Sequence, residues 1–258
     1  MDELRHLRQG ESTPARVGLG ITGVSLPTRS LLTFQMDQAF ARDAIQDELA
    51  TVSLVQEIAA LRSGSALQWT SEETPVLHSA ARDRNVYLRR PDLGRRLAEA
   101  ELAAAPCDLA IVLADGLSAL AVNRHAVPLL TELLPLLAAG TTLGPISLVV
   151  QGRVAIGDEI GERLGARMLL MLIGERPGLS APDSLGAYLT WNPRIGRTDA
   201  ERNCVSNIRP EGLSYEKAAQ LIHQSMATAV QQQLTGVALN RRIGQHQPVA
   251  QLLNPMEP

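Results

Sequence analysis

The sequence predicts an α/β fold, a Rossmann-like, mainly parallel sheet with flanking helices, preceded by a mostly helical N-terminal region. Three observations predict it. Residues 145–179 place an apolar run (146–150), a glycine loop, a short glycine-studded helix and a second apolar run (168–173) in the order of a βαβ unit. Residues 30–47 carry Leu31, Phe34, Gln35, Gln38 and Arg42 at three- and four-residue intervals, the period of helices, and helices follow through Leu61. Three successive strand candidates end in loops that carry glycine plus an ionisable residue, and open parallel sheets gather ligands at that edge. We place the division at 105/106, with residues 1–105 as the N-terminal mainly helical region and 106–258 as the Rossmann-like α/β domain.

Taken in order, residues 12–28 are rich in Gly, Pro and Thr and should wander. A helix follows over about 30–47, with Phe34, Ala41 and Ile45 suggesting its apolar side, and further helix runs through Leu61. Residues 82–96 hold Arg82, Arg84, Arg89, Arg90, Arg95 and Arg96; they read as a solvated face or a subunit interface, where arginine is favoured over lysine. Arg90-Pro91-Asp92 looks like a turn entering a helix that ends near Ala105. Strands are expected at 109–113, 146–150, 169–173 and 187–191, the first ending in Asp115-Gly116-Leu117-Ser118 before a long helix. Between the second and third, Gly157, Gly161 and Gly165 line one helical face. Each interior glycine costs roughly 1 kcal/mol relative to alanine, so something approaches that backbone, either the sheet or a flat ligand. Residues 194–207 show little periodicity and read as a functional loop of about 14 residues. Ser214 should cap a helix towards Leu234, and 242–258 reads as a frayed end.

Composition excludes several functions. With 258 residues, 45% of them hydrophobic, and a net charge of −3, the chain has the balance of a globular protein and no basic footprint for nucleic acid. The longest apolar stretch, 127–140, is broken by Thr131, Glu132 and two prolines, so no membrane span is expected, and the charged start Met1-Asp2-Glu3 is no signal peptide; a cytoplasmic location follows. Cys107 and Cys204 are too far apart for a C-x-x-C motif, and the five histidines lack metal-ligand spacing. Lys217 is the only lysine and lies on a surface helix, which argues against Schiff-base chemistry.

The glycine loops narrow the ligand. Gly152 to Gly157 has G-x-x-x-x-G spacing, but Asp158 and Glu159 follow where a phosphate-cradling loop has Lys and Ser/Thr; two carboxylates at a helix start repel phosphate. Glu175 falls about 20 residues after the loop, where a dinucleotide fold holds a ribose, yet the loop lacks the middle glycine of G-x-G-x-x-G. A carboxylate at Glu175 suits a ligand rich in N–H or O–H donors, unless it pairs with a nearby arginine. Two alternatives stay open at this point: an NAD-type dinucleotide-binding oxidoreductase and a non-catalytic structural or interaction subunit.

Several motifs in fixed order carry a family resemblance. Tyr87 to Arg96, Asp115-Gly116-Leu117-Ser118, Val149-Val150-Gln151-Gly152-Arg153-Val154, Ile173-Gly174-Glu175-Arg176-Pro177-Gly178-Leu179 and Asn203-Cys204-Val205-Ser206-Asn207-Ile208 resemble the small (light) subunit of ethanolamine ammonia-lyase, over about 13–239. The resemblance implies an adenosylcobalamin-dependent carbon–nitrogen lyase that converts ethanolamine to acetaldehyde and ammonia by a radical mechanism, active only as a hetero-oligomer with the large (heavy) subunit. Carried over by motif, its cobalamin contacts fall on Val154, Glu175 and Cys204, with no catalytic residue or metal ligand in this chain. No D-x-H-x-x-G segment is present, so the resemblance implies cobalamin bound with its own base on cobalt. Within the family a long N-terminal extension accompanies encapsulation in a bacterial microcompartment; here the matching region starts almost at Met1, which leaves that location open.

Overall fold

The computed structural model describes residues 24, 25 and 27–246. Two helices come first, α1 (Thr28–Gln46) and α2 (Thr51–Ser63), then two short strands, β1 (Gln68–Trp69) and β2 (Val76–His78), and the short helix α3 (Arg84–Arg89). The sheet proper alternates strand and helix: β3 (Cys107–Ala114), α4 (Ala119–Leu133), β4 (Thr142–Val150), α5 (Ile156–Leu164) and β5 (Ala166–Gly174). It closes with β6 (Leu185–Trp191), β7 (Arg202–Ile208), α6 (Tyr215–Gln232) and α7 (Val237–His246).

Strand order is β1-β4-β3-β5-β6-β7, with β2 also on β4. β1 to β5 pair in parallel, while β6 and β7 add antiparallel. The fold is therefore the mixed α/β one that the sequence predicts, with a mostly parallel sheet flanked by helices and a helical start.

Alternation along the central strands divides the core. Leu109, Ile111 and Leu113 of β3 join Met168, Leu170 and Leu172 of β5 under α4 and α6. Ala110, Val112 and Ala114 join Leu169, Met171 and Ile173 on the other face, under Ile156, Ile160 and Leu164 of α5. With both faces covered, the strands read as near-continuous apolar runs. Each fully buried leucine or isoleucine contributes about 1.5–3 kcal/mol of transfer free energy.

Three local expectations are corrected. Residues 194–207 are not a structureless loop: Thr198 and Glu201 form a capping box around a 3₁₀ turn, Asp199–Glu201, and β7 follows. β7 is the outermost strand, half-exposed and polar, so it lacks the apolar run that marks the inner strands. Asp83 starts α3 by accepting from Val86 N at 2.8 Å. The chain then makes only a 3₁₀ turn, Leu93–Arg95, after Pro91, instead of a helix to Ala105. On α1 the expected apolar side does face inward, with Ala41 buried and Phe34 and Ile45 half-buried, while Leu32, Met36 and Phe40 are exposed. Ser214 does stand at the N-cap of α6, but its side chain makes no capping bond.

The glycine stripe has a packing explanation. A Cβ on Gly157 would lie 2.6 Å from Leu169 Cδ2, and one on Gly161 would lie 2.5 Å from Pro193 Cγ. Gly165 ends α5 in the left-handed region at φ +73°, as a helix C-cap. The stripe thus seats α5 on the sheet. Among the described residues no helix is long and apolar enough to cross a membrane.

Candidate functional site

The carboxyl ends of β3, β4 and β5 meet in a cleft of about 390 Å³ lined by Gly116, Arg153, Val154, Gly174, Glu175 and Tyr188, among others. Past Arg153 and Val154 it continues into a hollow of about 430 Å³ bounded by Pro91, Arg95 and Asp199. Larger hollows lie at the other end of the strands, one of about 630 Å³ beside Ala60, Leu67 and Leu134 and one of about 500 Å³ beside Asp108, Arg167 and Trp191. They are bounded mainly by apolar groups and lie far from the glycine loops, so size alone does not mark the site.

The loop after β4 is held from below. The Asp115 carboxylate is 3% exposed and accepts from Gln151 N at 2.8 Å and Gly152 N at 3.1 Å. This fixes Gln151 in the left-handed region at φ 60°. Arg84 approaches the same carboxylate at 3.5 Å and donates to Gly116 O at 2.8 Å and Ile45 O at 2.7 Å. Burial pushes Asp115 up to about 6, against the opposing pull of its backbone donors and Arg84. Tyr87, fully buried, donates to Gly152 O at 2.9 Å, with the guanidinium of Arg153 4.3 Å and that of Arg84 4.9 Å from its ring centre. Val154 emerges from this support half-buried.

Gly116 and Gly174 bring the first and third loops together. Gly116 has φ +57°, and a Cβ on it would lie 2.2 Å from Gly174 O, the atom to which Leu117 N donates at 3.0 Å. Only glycine fits that approach.

Glu175 follows at once, half-buried at the rim. Ser184 donates to its Oε2, Ser206 donates to Oε1 at 2.7 Å, and Asn207 N approaches Oε2 at 3.4 Å. Among the described residues it forms no ion pair with an arginine, so its neighbours are neutral donors. Glu175 lines the cleft, and a carboxylate, which can accept about four hydrogen bonds, keeps some acceptor capacity beside these donors.

Cys204 lies on β7 directly opposite Tyr188 of β6. The residue is exposed, yet local desolvation, helped by the Glu175 charge, pushes its thiol up, with the Tyr188 contact opposing. It is a weakly acidic thiol, unsuited to nucleophilic attack. Val154 and Glu175 therefore share one cleft, and Cys204 borders it through Tyr188.

Sequence reasoning missed Tyr87, Ser184, Ser206 and Tyr188. For Tyr188 a signal existed, since it alternates with Ala187 and Leu189 and so points to the α5 face of the sheet. The serines gave none, because they reach Glu175 from 9 and 31 residues away. The acids after the glycine loop turn away from the cleft: Asp158 pairs with buried Arg202, and Glu159 accepts from Leu97 N at 2.9 Å and Arg163 at 2.6 Å. No phosphate cradle forms.

Comparison with known proteins gives one consistent result. Residues 1–240 match a family model described as ethanolamine ammonia-lyase light chain (EutC). The chain is 56% identical over 238 residues to an ethanolamine ammonia-lyase small subunit from Azotobacter vinelandii, which covers 88% of this chain and 84% of that one. It is 55% identical over 237 residues to the protein of that name from Pseudomonas paraeruginosa, with the same coverage. Against that of Pseudomonas fluorescens it is 53% identical over 247 residues, covering 92% and 85%.

Proposed function

Since the chain belongs to the ethanolamine ammonia-lyase light chain family, we propose that the cleft at its carboxyl strand ends is the face it turns to adenosylcobalamin in a complex with the large subunit. The chain functions as the small subunit of ethanolamine ammonia-lyase; conversion of ethanolamine to acetaldehyde and ammonia belongs to the complex. The dinucleotide reading is not favoured.

The residues present fit the cofactor. A corrin rim carries many amide groups, and a carboxylate held by neutral hydroxyls, as Glu175 is, keeps acceptor capacity for their N–H groups. Val154 offers an apolar surface, braced by the Asp115 and Tyr87 bonds behind it. Cys204 offers a small polarizable contact. When bound, adenosylcobalamin supplies the radical chemistry of a weak cobalt–carbon bond. This chain's residues bind and orient the macrocycle and exclude water from one side of it; none is placed to move a substrate proton. A cytoplasmic complex is the simplest setting, and residence in a microcompartment is the family's other one.

The observation that carries the reading is the convergence of Val154, Glu175 and the Tyr188–Cys204 pair on one rim. Its test is an adenosylcobalamin titration, followed by visible absorption, of the chain co-purified with the large subunit. Glu175→Ala should weaken binding about tenfold or more, as expected for one charged hydrogen-bond acceptor, with little change in the melting temperature of the complex. Full affinity and activity after substitution of Val154, Glu175 and Cys204 together would instead make the chain an interaction subunit.

A further inference from the structure

Resting on that cofactor face, we propose that Asp183 is a positioning residue that fixes the Glu175 carboxylate through its neighbour Ser184.

Residues 175–184 connect β5 to β6 and are tied down at one end far more than a surface turn requires. Asp183, its side chain 12% exposed, accepts from Arg124 of α4 at 3.0 Å and from Arg209 at 3.4 Å. His125 Nε2 lies 3.3 Å from the same carboxylate, while its Nδ1 meets the Tyr215 hydroxyl at 2.8 Å. Arg209 also donates to Ser180 O at 3.0 Å, and Ser118 donates to Pro182 O at 2.9 Å. Four residues from α4, its N-cap and the turn after β7 thus hold the four-residue segment 180–183, and none of them lines the cleft.

Such a cluster is poorly explained by stability. Asp183, Arg209 and His125 are all nearly buried, and Arg209 Nε has no hydrogen-bond partner among the described residues. Buried ion clusters bring desolvation costs that apolar side chains of the same volume avoid. What the cluster does provide is a fixed position for the next residue. Ser184 donates from its hydroxyl to Glu175 Oε2, and Glu175 N donates to Ser184 O at 2.9 Å, a reciprocal clamp. Asp183 therefore acts on the ligand face from behind, through Ser184 and then Glu175.

The test measures adenosylcobalamin affinity of the complex with the large subunit, by equilibrium dialysis, for Asp183→Asn and Ser184→Ala, each alone and combined with Glu175→Gln. Asp183→Asn and Ser184→Ala should each weaken binding about tenfold. In the Glu175→Gln background neither should weaken it further, because residues acting through one another are not additive. Additive losses, or wild-type affinity in Asp183→Asn, would overturn the inference and leave the role of Glu175 intact. Wild-type affinity in Glu175→Gln would overturn the role given to Glu175, and this inference with it; the cofactor-face reading itself fails if the joint substitution of Val154, Glu175 and Cys204 also keeps full affinity. If Asp183→Asn fails to fold, Ser184→Ala carries the same coupling test with the ion cluster left whole.

Discussion

The Tyr87 hydroxyl donates to Gly152 O across 65 residues of sequence, at 2.9 Å, and it makes this bond from a fully buried ring with the guanidinium groups of Arg84 and Arg153 over it. One side chain from the N-terminal region thereby sets the height of the loop that presents Val154. Tyr87→Phe keeps the ring and leaves a buried carbonyl without its donor, a cost of about 1–3 kcal/mol. Calorimetry should record a fall in melting temperature of about 2–4 °C per kcal/mol lost. An unchanged melting temperature would mean that the bond contributes nothing net.

Alanine should distinguish the glycines of α5. At Gly157 the obstructing atom is the far end of the Leu169 side chain, which can yield; at Gly161 it is the Pro193 ring, which cannot. Helix propensity favours both changes by about 1 kcal/mol, and overpacking opposes them by about 1–3 kcal/mol. Urea denaturation should find Gly161→Ala clearly destabilised and Gly157→Ala near neutral. Neither should alter cofactor affinity, and a loss of affinity in Gly157→Ala at unchanged stability would return the stripe to the ligand.

Asp115 predicts a signed pH dependence. Its folded-state value of about 6 stands above the ordinary 3.8, so its protonated form stabilises the fold. That contribution is present in full below pH 3.8 and is lost as pH rises through about 6. Asp115→Asn removes the titration. Its stability relative to the wild type should therefore be poorer at pH 4 than at pH 7.5, with the change centred between those values. A difference that stays constant with pH would show that Asp115 does not titrate in this window.

Thiol labelling reports on the third residue of the rim. The chain has two cysteines, of which Cys107 is buried and Cys204 exposed. Maleimide should label one thiol per native chain, slowly at pH 7.5 because that thiol is held above its ordinary range. Adenosylcobalamin bound in the complex should protect it. Equal labelling with and without the cofactor, the large subunit being present in both, would remove Cys204 from the contact surface.

The central sheet was legible because β3, β4 and β5 are buried on both faces and declare themselves as apolar runs. The meeting of the strand-end loops was legible through Gly116 and Gly174, where backbone approaches backbone. What stayed hidden depends on long-range pairing or half exposure. β7 has a polar alternation that a loop shares, and only its hydrogen bonds to β6 make it a strand. Glu175 was legible as an unusual acid, but its partners Ser184 and Ser206 are ordinary residues brought near by the β6 and β7 returns. In the arginine-rich stretch, composition pointed to a solvated face or a subunit interface. Arg82 and Arg90 are exposed, whereas Arg84 turns inward to Asp115.

The antiparallel return of β6 and β7 also sets an order of events during synthesis. Glu175 leaves the ribosome with β5, but Ser206 reaches it only after 31 more residues, and Arg209 reaches Asp183 after 26. Without β6 and β7, the parallel sheet of β1 to β5 would leave one edge of β5 unpaired. The partners of Glu175 are therefore complete only once the hairpin of β6 and β7 has paired with β5. A chain stalled before that point would expose a sticky strand and have no finished rim for a cofactor to find.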